Sequence, residues 1–263
     1  NSGLLLTEED TTKCSTWLKK RRLDPDLTTL LGATFLRRFT VHKVIADDGY
    51  GLVFKCFQAD KWWAVKVAPI FAGQGVDDLQ REVAMLGKVH EDYGSGITHP
   101  LFVHLDSVFF NDTASALCLK MPLLAGGDLC DNLTNLNFEQ KRSVAAQLVQ
   151  ALSWLQTRNP KIVHRDLKPE NIFVKIDSIS AKVSIKLIDF GMARTLEEVS
   201  GGADSAGGGG TDPDVAAGAG AGMSKTNKDA PKPRHKRKKT KYGGTPGYKP
   251  PEAFTDDYGV EVD

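Results

Sequence analysis

The run "IADDGYGLVF", residues 45–54, has the residue types of half a phosphate-binding turn. Gly51 stands where such a turn needs a glycine, because its backbone must come close to a phosphate oxygen. Asp48 stands where a second glycine is expected, and it carries the wrong charge. At ~4 Å, two like unit charges cost about 4 kcal/mol at an effective dielectric of about 20. Swinging the carboxylate into water, or toward a bound cation, would remove most of that cost. Gly49, next in the chain, lets the turn refold with its backbone amides still directed inward. The turn alone leaves phosphate binding and its loss both open.

The stretch "VHRDLKPENIFV" (163–174) decides more. Eight consecutive residues, His164 to Asn171, agree with the catalytic loop of eukaryotic protein kinases. A run that long is not met by chance in one chain. The sequence resembles that family, of the serine/threonine type, and other segments fit it in order. "DFG" occurs at Asp189–Gly191, "WAVKV" supplies the strand lysine Lys66, and "REVAML" supplies the helix glutamate Glu82. "GTPGYKPPE" (244–252) is similar to the end of a kinase activation segment, with Pro250 where the family has alanine. The resemblance covers roughly residues 38–263 and stops where further helices of a large lobe would begin.

The resemblance implies a set of roles. Phosphoryl transfer asks for charge neutralisation and alignment more than for covalent help. Lys66 would hold the α- and β-phosphates of ATP and be positioned by Glu82. Asp189 and Asn171 would bind Mg²⁺, for which oxygen ligands are suited. Asp166 would orient the substrate hydroxyl and accept its proton, and Lys168 would stabilise the transferring phosphoryl group. A lysine there goes with serine or threonine acceptors in the family. Ile45, Gly51, Val53, Ala64 and Phe173 would enclose the nucleotide, with Met121 at the back of the adenine pocket. Backbone at Pro122–Leu124, including Leu123, would meet the base edge, and Pro122 can offer only its carbonyl. Asp128 would bind ribose or a basic substrate residue, or simply mark the entry to a helix. Leu86, Leu105, Phe190 and His164 would stack between the lobes. Thr245 is expected to contact Asp166 and Lys168. In the family Arg165 awaits a phosphate on the activation segment; Thr240 lies near that spot, but Lys241 holds the best-matching place. The family's glycine pattern falls on Ala46, Asp48, Gly51 and Val53, so one glycine of three remains. The implied function is a serine/threonine protein kinase; the alternative is a pseudokinase or scaffold whose nucleotide binding is weakened by Asp48.

These side chains need elements to carry them. "RRFTVHKVI", "LVFKCFQ" and "WWAVKVAPI" read as a three-stranded antiparallel meander. Alternation in the third puts Trp62, Ala64 and Lys66 on one face and Trp63, Val65 and Val67 on the other. "VDDLQREVAMLGKV" reads as a helix, with Leu79, Val83 and Leu86 in a stripe and Asp77 and Asp78 at its positive end. "LFVHLDSVFF" and "ASALCLKM" read as two further strands. "NFEQKRSVAAQLVQALSWLQTRN" reads as a long helix, opened by a capping box of Asn137 and Gln140, with Val144, Leu148, Ala151 and Leu155 as its apolar stripe. "NIFVKI" and "VSIKLIDF" are short strands. The fold class is α+β: a two-lobed kinase fold whose small antiparallel sheet lobe with one helix spans 38–121. An incomplete, mainly helical lobe spans 122–263, and residues 1–37 form an extension with some helix.

Residues 198–230 hold almost no large apolar side chain and cannot offset the entropy of being ordered. With the basic stretch that follows, 198–241 reads as one flexible insertion in the activation segment. The basic run at 232–241 reads as a solvated charge tract, as a signal for a nuclear import receptor, or as a dock for an acidic partner or nucleic acid. Overall, 34 Lys plus Arg against 33 Asp plus Glu give a net charge of +1, which points to no nucleic-acid or membrane partner. No apolar run approaches the ~20 residues of a membrane helix. The four cysteines are widely spaced, without the pairing of a zinc site or a disulfide framework. A cytoplasmic and/or nuclear location is expected. The chain begins at Asn1 and stops at "YGVEVD" without a capping signal, as a piece of a longer protein would. In the family an aspartate at the place of Asp263 starts a buried helix that anchors the catalytic loop. Residues 1–263 alone are therefore expected to be poorly stable, which a cooperative monomeric melt would contradict.

Overall fold

A computed structural model describes residues 3–47, 51–70, 76–91, 93, 97–112, 115–197, 245, 247–249, 251 and 263, with residues 76–78 described in backbone only. The chain runs α1 (Glu8–Lys20), α2 (Leu27–Leu31), α3 (Ala33–Arg38), β1 (Thr40–Asp47), β2 (Leu52–Gln58), β3 (Lys61–Pro69) and α4 (Val76–His90). It continues with β4 (Ser107–Phe110), β5 (Ala116–Pro122), β6 (Gly127–Asp128), α5 (Leu129–Asn132) and α6 (Phe138–Thr157). β7 (Ile162–Val163), a 3₁₀ turn at Pro169–Asn171, β8 (Ile172–Ile176), β9 (Val183–Leu187) and β10 (Arg194–Thr195) follow. None of the described helices is long and apolar enough to cross a membrane.

The expected meander is present and grows into an antiparallel sheet of order β1-β2-β3-β5-β4. Strand alternation sorts its side chains into two cores. Val65 and Val67 of β3 and Ala116 and Cys118 of β5 face one side; Ala68, Leu117 and Leu119 face the other, where Leu79 and Val83 of α4 pack. The first side is covered by residues the sequence reading treated only as an extension. Cys14, Trp17 and Leu18 of α1, Leu27, Leu30 and Leu31 of α2, and Phe35 of α3 share one buried cluster with Phe54, Cys56, Val65 and Val67. An antiparallel sheet with two apolar faces needs a layer on each, and α1–α3 supply the second. Burial pushes the Cys56 and Cys118 thiols up to about 12, so they stay protonated at neutral pH.

One expectation fails. "LFVHLDSVFF" is a strand only over β4, Ser107–Phe110. Residues 101–106 instead cross to the larger lobe: Val103 N–H donates to the Leu187 carbonyl at 3.0 Å, and Leu187 N–H donates to that of Leu101 at 2.8 Å. Phe102 and Val103 are buried in the larger lobe's core, so apolar pattern alone could not tell a sheet strand from a buried connection.

The larger lobe is built on α6. Its capping box forms as the spacing predicts: Asn137 Oδ1 accepts from Gln140 N–H, and Gln140 Oε1 from Asn137 N–H. Asn137→Ala is expected to cost about 1 kcal/mol of stability, read by denaturant melts. Val144, Ala151 and Leu155 are buried and Leu148 is half-buried. Gln147 fastens α6 to β9, accepting from Ile185 N–H and donating to the Val183 carbonyl.

Where the lobes meet, Trp154 Nε1–H donates to the Val89 carbonyl and Arg158 to that of Glu91. His99 packs among the rings of Tyr93, Phe102 and Trp154. Burial, with nearby cations, lowers the pKa of His90, His104 and His99, the last to about 4. The folded protein keeps these rings neutral, while the unfolded chain takes up protons near pH 6.5. Stability is then complete above that pH and is lost as pH falls from about 6.5 toward 4. The melting temperature is expected to drop between pH 7 and pH 5, and His99→Gln to flatten the slope; a pH-independent melt would contradict this.

Candidate active site

Lys66 lies mid-strand in β3, on the face turned toward α4. Glu82 falls within the Leu79–Val83–Leu86 stripe of α4, so it points into the sheet. The two meet with Nζ and Oε2 2.8 Å apart, each residue only 5% exposed. A carboxylate on a buried helix face is tolerated because that ammonium answers it.

Across from this pair, β7 leads into the loop at 164–171. Asp263 holds the loop: its carboxylate accepts the backbone N–H groups of His164 and, at 2.7 Å, of Arg165. Arg165 has φ +70°, a conformation that costs a side-chain-bearing residue roughly 1–2 kcal/mol and that this pair of hydrogen bonds helps to impose. Asp166 Oδ1 accepts both the N–H and the hydroxyl of Thr245 at 2.7 Å. Its Oδ2 meets Lys168 Nζ at 3.0 Å and Asn171 Nδ2 at 3.2 Å. Lys168 also donates to Thr245 Oγ1 at 2.7 Å. Burial works to raise the Asp166 carboxyl, but the hydrogen bonds from Thr245 and Lys168 outweigh it and hold the group below the usual carboxylate range.

Asp189 closes the far side with φ +63°, its Oδ1 accepting Gly191 N–H at 3.2 Å. A Cβ on Gly191 would lie 3.2 Å from that oxygen and 3.8 Å from Glu82 Oε2, so this turn sits against the Lys66–Glu82 pair. Phe190 is fully buried and meets the rings of His164 at 4.9 Å and Phe102 at 6.0 Å. Leu86 and Phe190 lie in one core, with Leu105 packed against it.

Asn171 donates its Nδ2 to the Asp166 carbonyl at 2.8 Å, which leaves its amide oxygen as the group's acceptor. With the Asp189 carboxylate this makes a set of hard oxygen donors. Among the described residues no cluster of three or more His, Cys, Asp or Glu could cage an ion. Two protein oxygens completed by phosphate oxygens are what Mg²⁺ accepts, so the residues fit that ion.

Val53, Ala64, Met121, Leu123 and Phe173 are all half-buried, and Ala64 pairs with Met121 across β3 and β5. Ile45 on β1 is 39% exposed. Gly51 has a reason the sequence did not give away: a Cβ there would come within 2.8 Å of the Val67 carbonyl, so β2 packs onto β3 only with glycine. Leu123 N–H is turned to the Trp62 carbonyl at 3.4 Å, away from the role of a free donor. Asp128 accepts from Asp131 N–H at 2.9 Å and caps α5, the helix-entry reading. A cavity of about 130 Å³ opens beside Asp166, lined also by Leu167, Thr245, Tyr248 and Lys249; the last two were not singled out from sequence, though they lie three and four residues after Thr245. Asp48, Gly49, Pro250, Glu252, Thr240, Lys241 and the insertion at 198–241 lie outside the described residues.

The protein kinase domain family matches residues 39–208. Over 171 residues, 63% of the chain, the sequence is 32% identical to Serine/threonine-protein kinase DCLK1 of Rattus norvegicus, covering 36% of that protein. It is 33% identical over 171 residues to Serine/threonine-protein kinase DCLK2 of Homo sapiens, 63% of the chain and 21% of the relative. It is 26% identical over 166 residues to Titin homolog of Caenorhabditis elegans, 61% of the chain and 1% of the relative. The alignments thus span little more than a third of the first relative and about a fifth or less of the others.

Proposed function

The chain belongs to the protein kinase family, and on that premise we propose that it transfers the γ-phosphate of ATP, with magnesium, to serine or threonine hydroxyls of a protein substrate. The observation that carries this reading is the closed Lys66–Glu82 pair beside the Asp189 turn, with Asp166 kept anionic on the opposite loop.

Lys66, held by Glu82, offers its ammonium to the α- and β-phosphates. The Asn171 amide oxygen and the Asp189 carboxylate would hold Mg²⁺. Magnesium, when bound, supplies positive charge that draws the phosphate oxygens together. Asp166 accepts a hydrogen bond from the acceptor hydroxyl, as it does from Thr245 Oγ1 at 2.7 Å. The hydroxyl oxygen bonds to the γ-phosphorus, the bond from that phosphorus to the β-phosphate oxygen breaks, and the hydroxyl proton passes to Asp166 as ADP leaves. Lys168 faces the charge on the phosphoryl group in flight. Val53, Ala64 and Phe173 enclose the base, with Met121 behind it, and the Pro122 carbonyl and Leu124 backbone meet its edge. Ile45 and Gly51 cover the phosphates; Asp128, whose second carboxylate oxygen is not needed for the α5 cap, reaches the ribose or a basic substrate residue.

We place the small lobe at 38–121, the larger lobe from 122, and an insertion within the activation segment at 198–241. The basic run 232–241 engages an import receptor or an acidic partner, giving a cytoplasmic and nuclear distribution; replacing Lys236–Lys239 with alanine and following localisation tests it. A scaffold with weakened nucleotide binding is the second reading, favoured by Asp48 in the phosphate turn. Thermal melts with ATP, with and without Mg²⁺, test nucleotide binding: a Mg²⁺-dependent rise in melting temperature is expected, and no rise would contradict the proposal.

A further inference from the structure

β1 is an edge strand of the sheet, and its ladder with β2 slips twice, between Val41 and Lys43 and between Val44 and Ala46. An edge strand with two slips is held loosely by its one neighbour. The N-terminal layer takes hold at the residue before each slip. Val41 exchanges backbone hydrogen bonds with the segment before α1: its N–H donates to the Gly3 carbonyl at 2.5 Å, and its carbonyl accepts from Leu5 N–H at 2.7 Å. Val44 N–H donates to Asp10 Oδ1 at 3.4 Å. Asp10 is in the first turn of α1, where an acid is ordinarily solvated, yet it is only 8% exposed. Thr7 steers it, donating its hydroxyl to Asp10 Oδ2 at 3.0 Å while accepting Asp10 N–H at 3.1 Å. One helical turn on, Lys13 Nζ lies 3.8 Å from Asp47, the last residue of β1.

The layer is fixed to the sheet by contacts that do not involve β1. Asn111 Nδ2 donates to the Leu30 carbonyl at 2.9 Å, and Asp112 accepts from Thr34 N–H at 2.6 Å. Asp10 therefore reaches from an anchored support to a weakly held strand, three residues before that strand ends at Asp47.

We propose that Asp10 is a positioning residue for nucleotide binding: through Val44 it fixes the end of β1, and with it Ile45, over the cleft. The inference rests on the reading of that cleft as a nucleotide site. Asp10 itself touches no nucleotide; its effect is on affinity.

The test compares the whole chain with Asp10→Ala, Asp10→Asn and, as a control that weakens the same layer while leaving Asp10 in place, Leu30→Ala. Two quantities are read: amide hydrogen exchange over residues 40–47, and the Kd for Mg²⁺–ATP by titration. Asp10→Ala is expected to speed exchange in 40–47 about tenfold and to raise the Kd about five- to tenfold, the loss of one backbone-to-side-chain hydrogen bond. Asp10→Asn, whose amide oxygen still accepts from Val44, stays within about twofold on both. Leu30→Ala lowers the melting temperature but keeps the Kd within about twofold. Should Asp10→Ala not fold, Thr7→Ala, which removes the steering hydroxyl, carries the test with an expected Kd rise of at least about twofold. Unchanged exchange, unchanged Kd in the folded variant, or an equal Kd rise in Leu30→Ala overturns the inference. A wild-type chain that binds no Mg²⁺–ATP overturns the nucleotide reading, and the exchange arm then decides separately whether Asp10 braces β1.

Discussion

Asp166→Asn is expected to lower the rate of phosphoryl transfer by about a thousandfold, within the range of about 10²–10⁴ for losing a general base, while the Kd for Mg²⁺–ATP changes by less than about threefold. Asparagine keeps the size of the side chain and an oxygen that can still accept from Thr245. It removes the negative charge that Lys168 answers at 3.0 Å and turns an N–H₂ toward donors, Lys168 Nζ or Asn171 Nδ2. A modest fall in melting temperature accompanies the loss of rate. Transfer and binding separate because, in this reading, Asp166 meets the acceptor hydroxyl and not the nucleotide. A variant keeping more than about a tenth of the wild-type rate would remove Asp166 from the mechanism.

Lys66→Met carries the second large effect, and it strikes stability as well as activity. Removing one partner of a buried ion pair strands the other, at a cost of about 3–5 kcal/mol. Glu82 is 5% exposed, and its Oε2, deprived of the Lys66 ammonium, would lie against the Gly191 turn. The double variant Lys66→Met/Glu82→Leu is expected to recover most of the lost stability, because a packed apolar pair replaces the stranded charge. It does not recover transfer, which stays at least about a hundredfold below wild type, the scale of a lost electrostatic stabiliser. Melts and rates on the two variants separate the structural role of the pair from its catalytic one. A double variant as unstable as the single would show that the charge of Glu82 is not the source of the cost.

What was legible in the sequence was local. Residues 164–171 are contiguous, so their types and order could be matched directly, and the structure gathers Asp166, Lys168 and Asn171 around one carboxylate. Alternation in β3 told which face Lys66 takes, and the three-residue spacing of Asn137 and Gln140 foretold the cap of α6. What was not legible depends on distant partners. In α1 the apolar side chains are interleaved with charge, and the uncharged run at 27–36 does not say what it covers, so the first 37 residues did not announce that Trp17, Leu31 and Phe35 would cover a sheet built from residues 40–122. The inward turn of Asp10 depends on a strand 34 positions away. Phe102 and Val103 looked like a strand because burial in the other lobe selects the same residue types. Gly51 was noticed as a phosphate-turn glycine, yet its tightest constraint is the Val67 carbonyl beneath it.

The most direct measurement of the central claim is transfer of radiolabelled γ-phosphate from ATP to a generic protein substrate such as casein, with and without Mg²⁺, followed by phosphoamino-acid analysis. The account predicts label on serine or threonine that requires Mg²⁺ and is lost in Asp166→Asn. No label above that of Asp166→Asn, in a folded chain whose melting temperature rises with Mg²⁺–ATP, would contradict it and leave a nucleotide-binding scaffold in its place.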